Sequence, residues 1–314
     1  MSEIRAARLH EHGQPLVVET IELAAPAAGE VRVELQFGGV NPVDRYTAEG
    51  RVNPDGPLPR TLGAEAAGTA DGRPVLVAGE GLGGSRDGVW ASAANVPEPA
   101  LVPIPDGVEA REAAAMGIAG LTALNCVRSL AAVNSEDRVL VLGASGGVGS
   151  MIVSLAAAAG ATVWGQTGSP EKADAITAAG AGRVLVGDAE ALAEPFTELQ
   201  PTVVLDPLGG AFVAPAIDAI AARGRFVSFG VSAGPEVTFN MQQLYRKMVT
   251  LYGYGGMQLG RDERVRGLHD ALEALRAGEI TVRIDEILPL EQINDAFTRL
   301  TERRVEGKLL LALD

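Results

Sequence analysis

The sequence predicts an α/β protein, with a doubly wound parallel sheet preceded by a strand-and-turn region. Three observations predict it. The first third holds alternating segments such as Val31–Phe37, in which apolar residues recur at every second position, the pattern of a half-buried strand. Gly and Pro punctuate the same region, at Asn41-Pro42, Asn53–Pro57, Asp71-Gly72 and from Pro97 to Pro105. From about Glu109 onward, short and continuously apolar runs alternate with Ala-rich helical stretches, as expected for parallel strands covered by helices on both faces.

The apolar runs are Arg138–Leu142, Ala161–Gln166, Arg183–Val186, Thr202–Asp206, Arg225–Gly230 and Val249–Tyr254. Helices are expected at Val148–Ala159, Pro170–Ala179, Ala211–Ala222 and Asp262–Ala277. From about Thr281 strand signals return, with a strand near Ile284–Leu288, a helix at Leu290–Thr301 and a terminal strand at Lys308–Leu313. No tandem repeat or low-complexity linker interrupts the pattern.

The chain has 314 residues, a length that predicts about two domains. Its 47% apolar and 21% charged residues suit a folded globule rather than a disordered chain. With 26 Lys+Arg against 40 Asp+Glu, the net charge is −14, the wrong sign for neutralising phosphates. The 2 Trp, 4 Tyr and 7 Phe are too few for a base-stacking groove. No nucleic acid partner is expected.

Cys126 is the single cysteine, which excludes an intrachain disulfide and a thiolate zinc cluster and points to a reducing, cytoplasmic setting. The opening MSEIRAARLHEHG lacks the apolar core of a signal peptide. No charge occurs from Val139 to Pro170, but that stretch holds seven glycines and opens on β-branched residues. It reads as strand, helix and strand rather than a membrane span, and no membrane partner is expected.

The chemistry concentrates after Leu142. The strand Arg138–Leu142 runs into Gly143-Ala144-Ser145-Gly146-Gly147-Val148-Gly149 and then into a helix, with glycine at 143, 146 and 149. A turn this tight needs positive φ, and a diphosphate must approach the backbone without interference from Cβ atoms. The helix beyond directs its free N–H groups and positive dipole end at the phosphates. This is the context of a Rossmann dinucleotide-binding turn, using Gly143, Ser145, Gly146, Gly147, Val148 and Gly149.

Two other strings compete with it. Gly79-Glu80-Gly81-Leu82-Gly83-Gly84 spells G-x-G-x-x-G, but Ser85–Gly88 follows with turn chemistry, so a loop is expected there. Gly143–Gly147 also spells the G-x-S-x-G nucleophile elbow, with Asp206 and His269 following in the order a serine hydrolase uses. A serine hydrolase acting through Ser145 therefore stands as an alternative. Against it, no H-G-G-G string precedes the turn, and His269 lies in an amphipathic helical run.

A strand that binds NAD ends on an acid for the ribose 2′-hydroxyl. Here the second strand ends Gln166-Thr167-Gly168-Ser169-Pro170-Glu171-Lys172, with no acid before Glu171. Gly168, the Ser169 hydroxyl and the Lys172 cation suit a 2′-phosphate, so NADPH is the expected cofactor. The same Ser-Pro pair also suits the start of the next helix.

With these motifs the chain resembles a zinc-independent quinone oxidoreductase of the medium-chain dehydrogenase/reductase superfamily. The resemblance is carried by Gly39–Asp44, Leu62–Gly68, Ile104–Gly107, Gly120–Ala123, the glycine turn, Gly224–Gly230 and Gly307-Lys308. It implies a mainly β, GroES-like substrate domain formed by residues 1–117 and 281–314, a Rossmann domain over 118–280, and a homodimer whose nucleotide-domain sheets join edge to edge. It implies a metal-independent enzyme that passes a hydride from NADPH to a small quinone, enone or alkenal. Positions that bind catalytic zinc in relatives match Val40 or Asn41 and Ala64, so no metal is expected.

In place of a metal, the resemblance assigns Asn41 and Tyr46 to catalysis, Asn41 orienting substrate or nicotinamide and Tyr46 donating a hydrogen bond or proton to the acceptor oxygen. Thr122 is expected to face the nicotinamide, and the backbone of Phe229, Gly230 and Val231 to hold its carboxamide. The chain departs from the pattern in a short crossing at Ala70–Pro74 and in Gly187, where many relatives place a Tyr that helps hold the 2′-phosphate. Arg183 is the candidate to compensate. A protein that senses NADPH with little turnover remains a further alternative.

Overall fold

The computed structural model describes residues 2–314. The chain divides into two compact bodies. One comprises the chain up to Leu121 with Leu259–Arg276 and Val282–Asp314, and the other Thr122–Gln258 with Ala277–Thr281. The division departs from 118–280 chiefly at the helix Arg261–Arg276, which belongs to the strand-rich body. There Arg261 and Arg264 both pair with Glu80 in the Gly79–Gly84 loop. That loop is a chain of turns with Gly79, Glu80 and Gly81 at positive φ and no helix after it, as its Ser85–Gly88 continuation predicts.

The second body is a Rossmann fold. Six parallel strands lie in the order Arg183–Val186, Thr162–Thr167, Arg138–Val141, Val203–Asp206, Arg225–Ser228 and Thr250–Gly253. Each expected apolar run forms its strand; the central ones are covered on both faces and so apolar throughout, while the outer strands Arg183–Val186 and Thr250–Gly253 are partly exposed. Leu140, Leu142, Val204 and Phe226 are buried with Phe196, Ile217 and Ile220 from the covering helices. The helices Ala193–Leu199 and Met241–Lys247, absent from the sequence reading, have seven residues each, too few to show a clear helical period.

The first body is mainly β. Its seven-stranded sheet is built around the long strand Glu30–Val40, which pairs antiparallel with Glu65–Ala70, Ala93–Pro97 and Lys308–Ala312. Leu309 lies opposite Val40, and Ala66 opposite Gly38. This register brings Asn41, Glu65 and Lys308 to one end of three adjacent strands. Trp90, buried in the same core, donates its indole N–H to the Gly39 carbonyl at 3.2 Å. Among the described residues no helix is long and apolar enough to cross a membrane.

Candidate functional site

The parallel sheet reverses its strand order between Arg138–Val141 and Val203–Asp206, the place where such sheets open a crevice at their carboxyl edge. The glycine turn lies at that reversal. Gly143 takes φ of +58°, Ala144 N–H donates to the Gln166 carbonyl at 2.8 Å, and Gly146 N–H to the Gly143 carbonyl at 3.1 Å. The helix Gly147–Ala158 follows, and Ser150 N–H is bonded to the Gly146 carbonyl at 2.9 Å. The amides of its first turn have no acceptor within the helix and face the turn. A Cβ at Gly149 would overlap the Gly143 carbonyl oxygen, so glycine there lets helix and turn close on each other.

Gln166, given no role in the sequence reading, clamps this turn. Its Oε1 accepts from Gly143 N–H at 3.0 Å and its Nε2 donates to the Gly187 carbonyl at 2.9 Å, with the side chain buried. The signal was a long amide ending an apolar run, since a buried polar group must find partners. Ser145 Oγ lies 3.3 Å from Thr167 Oγ1.

At the second strand's end, Gly168 is open, with nothing near the place a Cβ would occupy. The Ser169 hydroxyl donates to the Glu171 carboxylate, which that hydrogen bond holds below the usual carboxylate range. Lys172 stands one residue beyond, its N–H closing a turn onto the Ser169 carbonyl at 3.3 Å. Arg183 is engaged elsewhere, stacked 4.5 Å from the Trp164 ring centroid and paired with Glu198 at 2.9 Å. Gly187 gives its carbonyl to Gln166.

Phe229, Gly230 and Val231 follow the strand Arg225–Ser228 at the same carboxyl edge. Phe229 N–H donates to the Asp206 carbonyl at 2.9 Å, Gly230 leaves no room for a Cβ against Pro207, and Val231 is exposed. Thr122 is buried on the helix Leu121–Leu124. The hydrolase alternative loses its parts here. Positive φ falls on Gly143 and not on Ser145, and the fully buried Asp206 carboxylate is engaged by the N–H groups of Leu208 and Gly209 at 2.8 and 3.0 Å. Burial raises the Asp206 carboxyl above its ordinary range, and its place is structural. The Cys126 thiol, buried and pushed up to about 12, offers no nucleophile.

In the strand-rich body, Asn41 caps the helix Pro42–Ala48, and its backbone N–H donates to Asp44 Oδ2 at 2.9 Å. Its side chain turns inward instead. Asn41 Oδ1 accepts from Lys308 Nζ at 2.6 Å and Asn41 Nδ2 donates to Glu65 Oε1 at 2.7 Å. Lys308 Nζ also meets Glu65 Oε1 at 2.8 Å, and Glu65 Oε2 accepts from Ile118 N–H at 2.7 Å. Tyr46 lies half-buried on the same helix with Arg45 and Arg51 4.9 and 4.4 Å from its ring centroid, and its hydroxyl has no hydrogen-bond partner among the described residues. Glu65, Lys308 and Asp44 entered the sequence reading only inside family motifs. Their signal was a charge set within apolar neighbours, Ala64-Glu65-Ala66 and Lys308-Leu309-Leu310.

Among the described residues no three His, Cys, Asp or Glu gather as metal ligands, and Asn41 Oδ1 and Glu65 Oε1 both receive the Lys308 ammonium. Asp44 is fully enclosed, with its Oδ1 accepting Ala64 N–H at 3.1 Å. Burial first, then the neighbouring Glu65, raises its carboxyl from 3.8 to about 7, against the pull of the backbone amides and Lys308. The folded protein therefore holds this proton more tightly than the unfolded chain. Stability from it is present in acid and fades as pH rises from 3.8 to about 7. Denaturant unfolding should lose on the order of 4 kcal/mol across that window relative to an Asp44→Asn variant. Parallel profiles for the two proteins would refute the assignment.

The comparisons agree with this architecture. Residues 147–274 match the family model described as "Zinc-binding dehydrogenase". The quinone oxidoreductase of Salmonella typhimurium is 30% identical, over 96% of this chain and 97% of its own. The mycobacterial protein Rv1454c complexed with NADPH superposes with a TM-score of 0.86 and 26% identity, covering 98% of this chain and 99% of its own. The Bacillus subtilis protein yhfP with NAD bound gives 0.85 and 25%, covering 100% of both chains. By this similarity across nearly its full length, the chain belongs to the quinone oxidoreductase family of the medium-chain dehydrogenase/reductase superfamily.

Proposed function

We propose that this protein is an NADPH-dependent, metal-independent reductase that delivers a hydride to a quinone or another conjugated carbonyl. The observation that carries the reading is the glycine turn at the strand-order reversal, closed by Gly149 and clamped by Gln166. Gly143, Ser145–Gly149, Gly168, Ser169, Lys172 and the Phe229–Val231 backbone would hold the dinucleotide, and Thr122 would lie beside its nicotinamide. When bound, the cofactor supplies a hydride, which is two electrons with one proton. Tyr46 then donates its hydroxyl to the acceptor oxygen as negative charge grows there, releasing a proton to it and regaining one from water. Asn41 directs an amide N–H at the same oxygen.

The absence of an acid at Thr167-Gly168, with Lys172 close behind, supports NADPH over NADH. Lys172→Ala should weaken NADPH binding about tenfold, the scale of one phosphate contact, and leave NADH binding unchanged. Side-by-side fluorescence titrations measure this, and equal losses would dismiss the 2′-phosphate role. Oxidation of NADPH by a simple quinone tests the whole reading. Binding without turnover would instead make the protein a sensor.

The reading includes a homodimer. The outermost strand Thr250–Gly253 has one unpaired edge, and Met241, Tyr245, Met248 and Leu251 are exposed beside it. Thr250 and Tyr254 N–H groups bond inward to Gly224 and Ser228, so by alternation the Leu251 amide points outward. Leu251→Pro should then yield a monomer by light scattering, and an unchanged mass would exclude pairing along this strand.

A further inference from the structure

Asn41, which the reaction uses, is knotted in the strand-rich body to two charged groups that it does not use, Glu65 and Lys308. Asn41, Glu65 and Lys308 are 4%, 0% and 3% exposed. A buried ammonium and carboxylate seldom add stability over apolar residues of the same size, because desolvating two ions offsets their attraction. Their placement therefore calls for a role other than holding the fold. The site is shaped for them, since a Cβ at Gly39 or at Gly117 would press on the Glu65 carboxylate.

The chemistry of the three groups determines how the amide is turned. An ammonium can only donate, so the Asn41 atom 2.6 Å from Lys308 Nζ is its oxygen. A carboxylate can only accept, so the atom 2.7 Å from Glu65 Oε1 is its nitrogen. Lys308 bonds Glu65 as well, at 2.8 Å, which closes the triangle. One amide hydrogen is held by Glu65 and one is left over. Donation from an ammonium to the amide oxygen draws electrons from the nitrogen and strengthens that remaining N–H as a donor.

We infer that Lys308 and Glu65 are positioning residues for Asn41, locking its carboxamide so that the remaining N–H is presented, polarised, to the carbonyl oxygen of the acceptor. The inference rests on the reductase reading above. In it, the side-chain ammonium supplies through the amide the polarisation that a metal would supply directly. Lys308 and Glu65 do not themselves touch the substrate.

The test measures kcat and KM for unsubstituted benzoquinone, with NADPH, in the wild type, Asn41→Ala, Lys308→Met/Glu65→Gln and the triple variant. Removing both charges together leaves no unpaired buried ion, so the double variant should unfold close to the wild-type temperature. Its kcat should fall about 100-fold, matching Asn41→Ala, with NADPH affinity unchanged. The triple variant should be no slower than either, because all three act through one hydrogen bond. A folded double variant with wild-type kcat, or losses that multiply in the triple variant, would overturn the proposal while leaving the reductase reading intact. A wild type that neither binds NADPH nor oxidises it with benzoquinone would overturn the reductase reading, and this proposal with it. Should the double variant not fold, Glu65→Asp decides. It keeps a carboxylate for Lys308 but draws it one methylene back from the Asn41 amide, so it should lower kcat with NADPH binding intact, and a wild-type kcat would refute the proposal.

Discussion

Gly149→Val is expected to weaken dinucleotide binding strongly while the strand-rich body stays folded. A side chain at 149 would overlap the Gly143 carbonyl oxygen and crowd Ala144 Cα, both backbone atoms that no rotamer change can move aside. The helix Gly147–Ala158 must then lift from the turn, and its first amides leave the position from which they meet a diphosphate. Overpacking of this kind costs about 1–3 kcal/mol. Falling on the bound state, that strain lowers affinity by about 5- to 150-fold. Gly149→Ala should show the same effect in smaller measure. NADPH fluorescence titration, with circular dichroism as the folding control, measures both variants. Wild-type affinity in folded Gly149→Val would remove the turn from the cofactor site.

Tyr46→Phe should slow hydride transfer by about 100-fold, the ordinary scale for losing a positioned proton donor. The phenyl ring can keep its stacking with the Arg45 and Arg51 guanidiniums, which approach the ring rather than the hydroxyl. Packing and cofactor affinity should therefore hold while the chemical step fails. Single-turnover oxidation of NADPH by benzoquinone isolates that step. An unchanged rate would make Tyr46 a packing residue only.

The nucleotide-binding body was legible because its physics is local. A strand buried on both faces is apolar along its length, and a strand–turn–helix around glycines leaves few other meanings. Hence Arg138–Val141 and Val203–Asp206 lie where their apolar runs stand. The short helix Pro42–Ala48 was not legible, because seven residues opening on a proline read as a turn. The helix Arg261–Arg276 was found, but nothing in its own sequence says that Glu80, far away in the chain, holds its arginines.

The knot of Asn41, Glu65 and Lys308 shows the same limit at the site. Lys308 stands 243 positions from Glu65 and 267 from Asn41, and only the register of Lys308–Ala312 on Glu30–Val40 brings them together. The sequence offered a charge beside three leucines, which marks a buried ion without naming its partner. Gln166 was hidden differently. Its neighbours were read for the ribose, while its own amide reaches back to the preceding turn.

The central claim is that the bend after Leu142 receives the diphosphate of a nicotinamide dinucleotide. A crystal structure of the protein grown with NADPH tests it most directly. The account predicts diphosphate oxygens within hydrogen-bond reach of the backbone N–H groups of Gly147 and Val148, with the 2′-phosphate beside Ser169 and Lys172. A dinucleotide bound elsewhere, or a turn that stays empty at saturating NADPH, would contradict it.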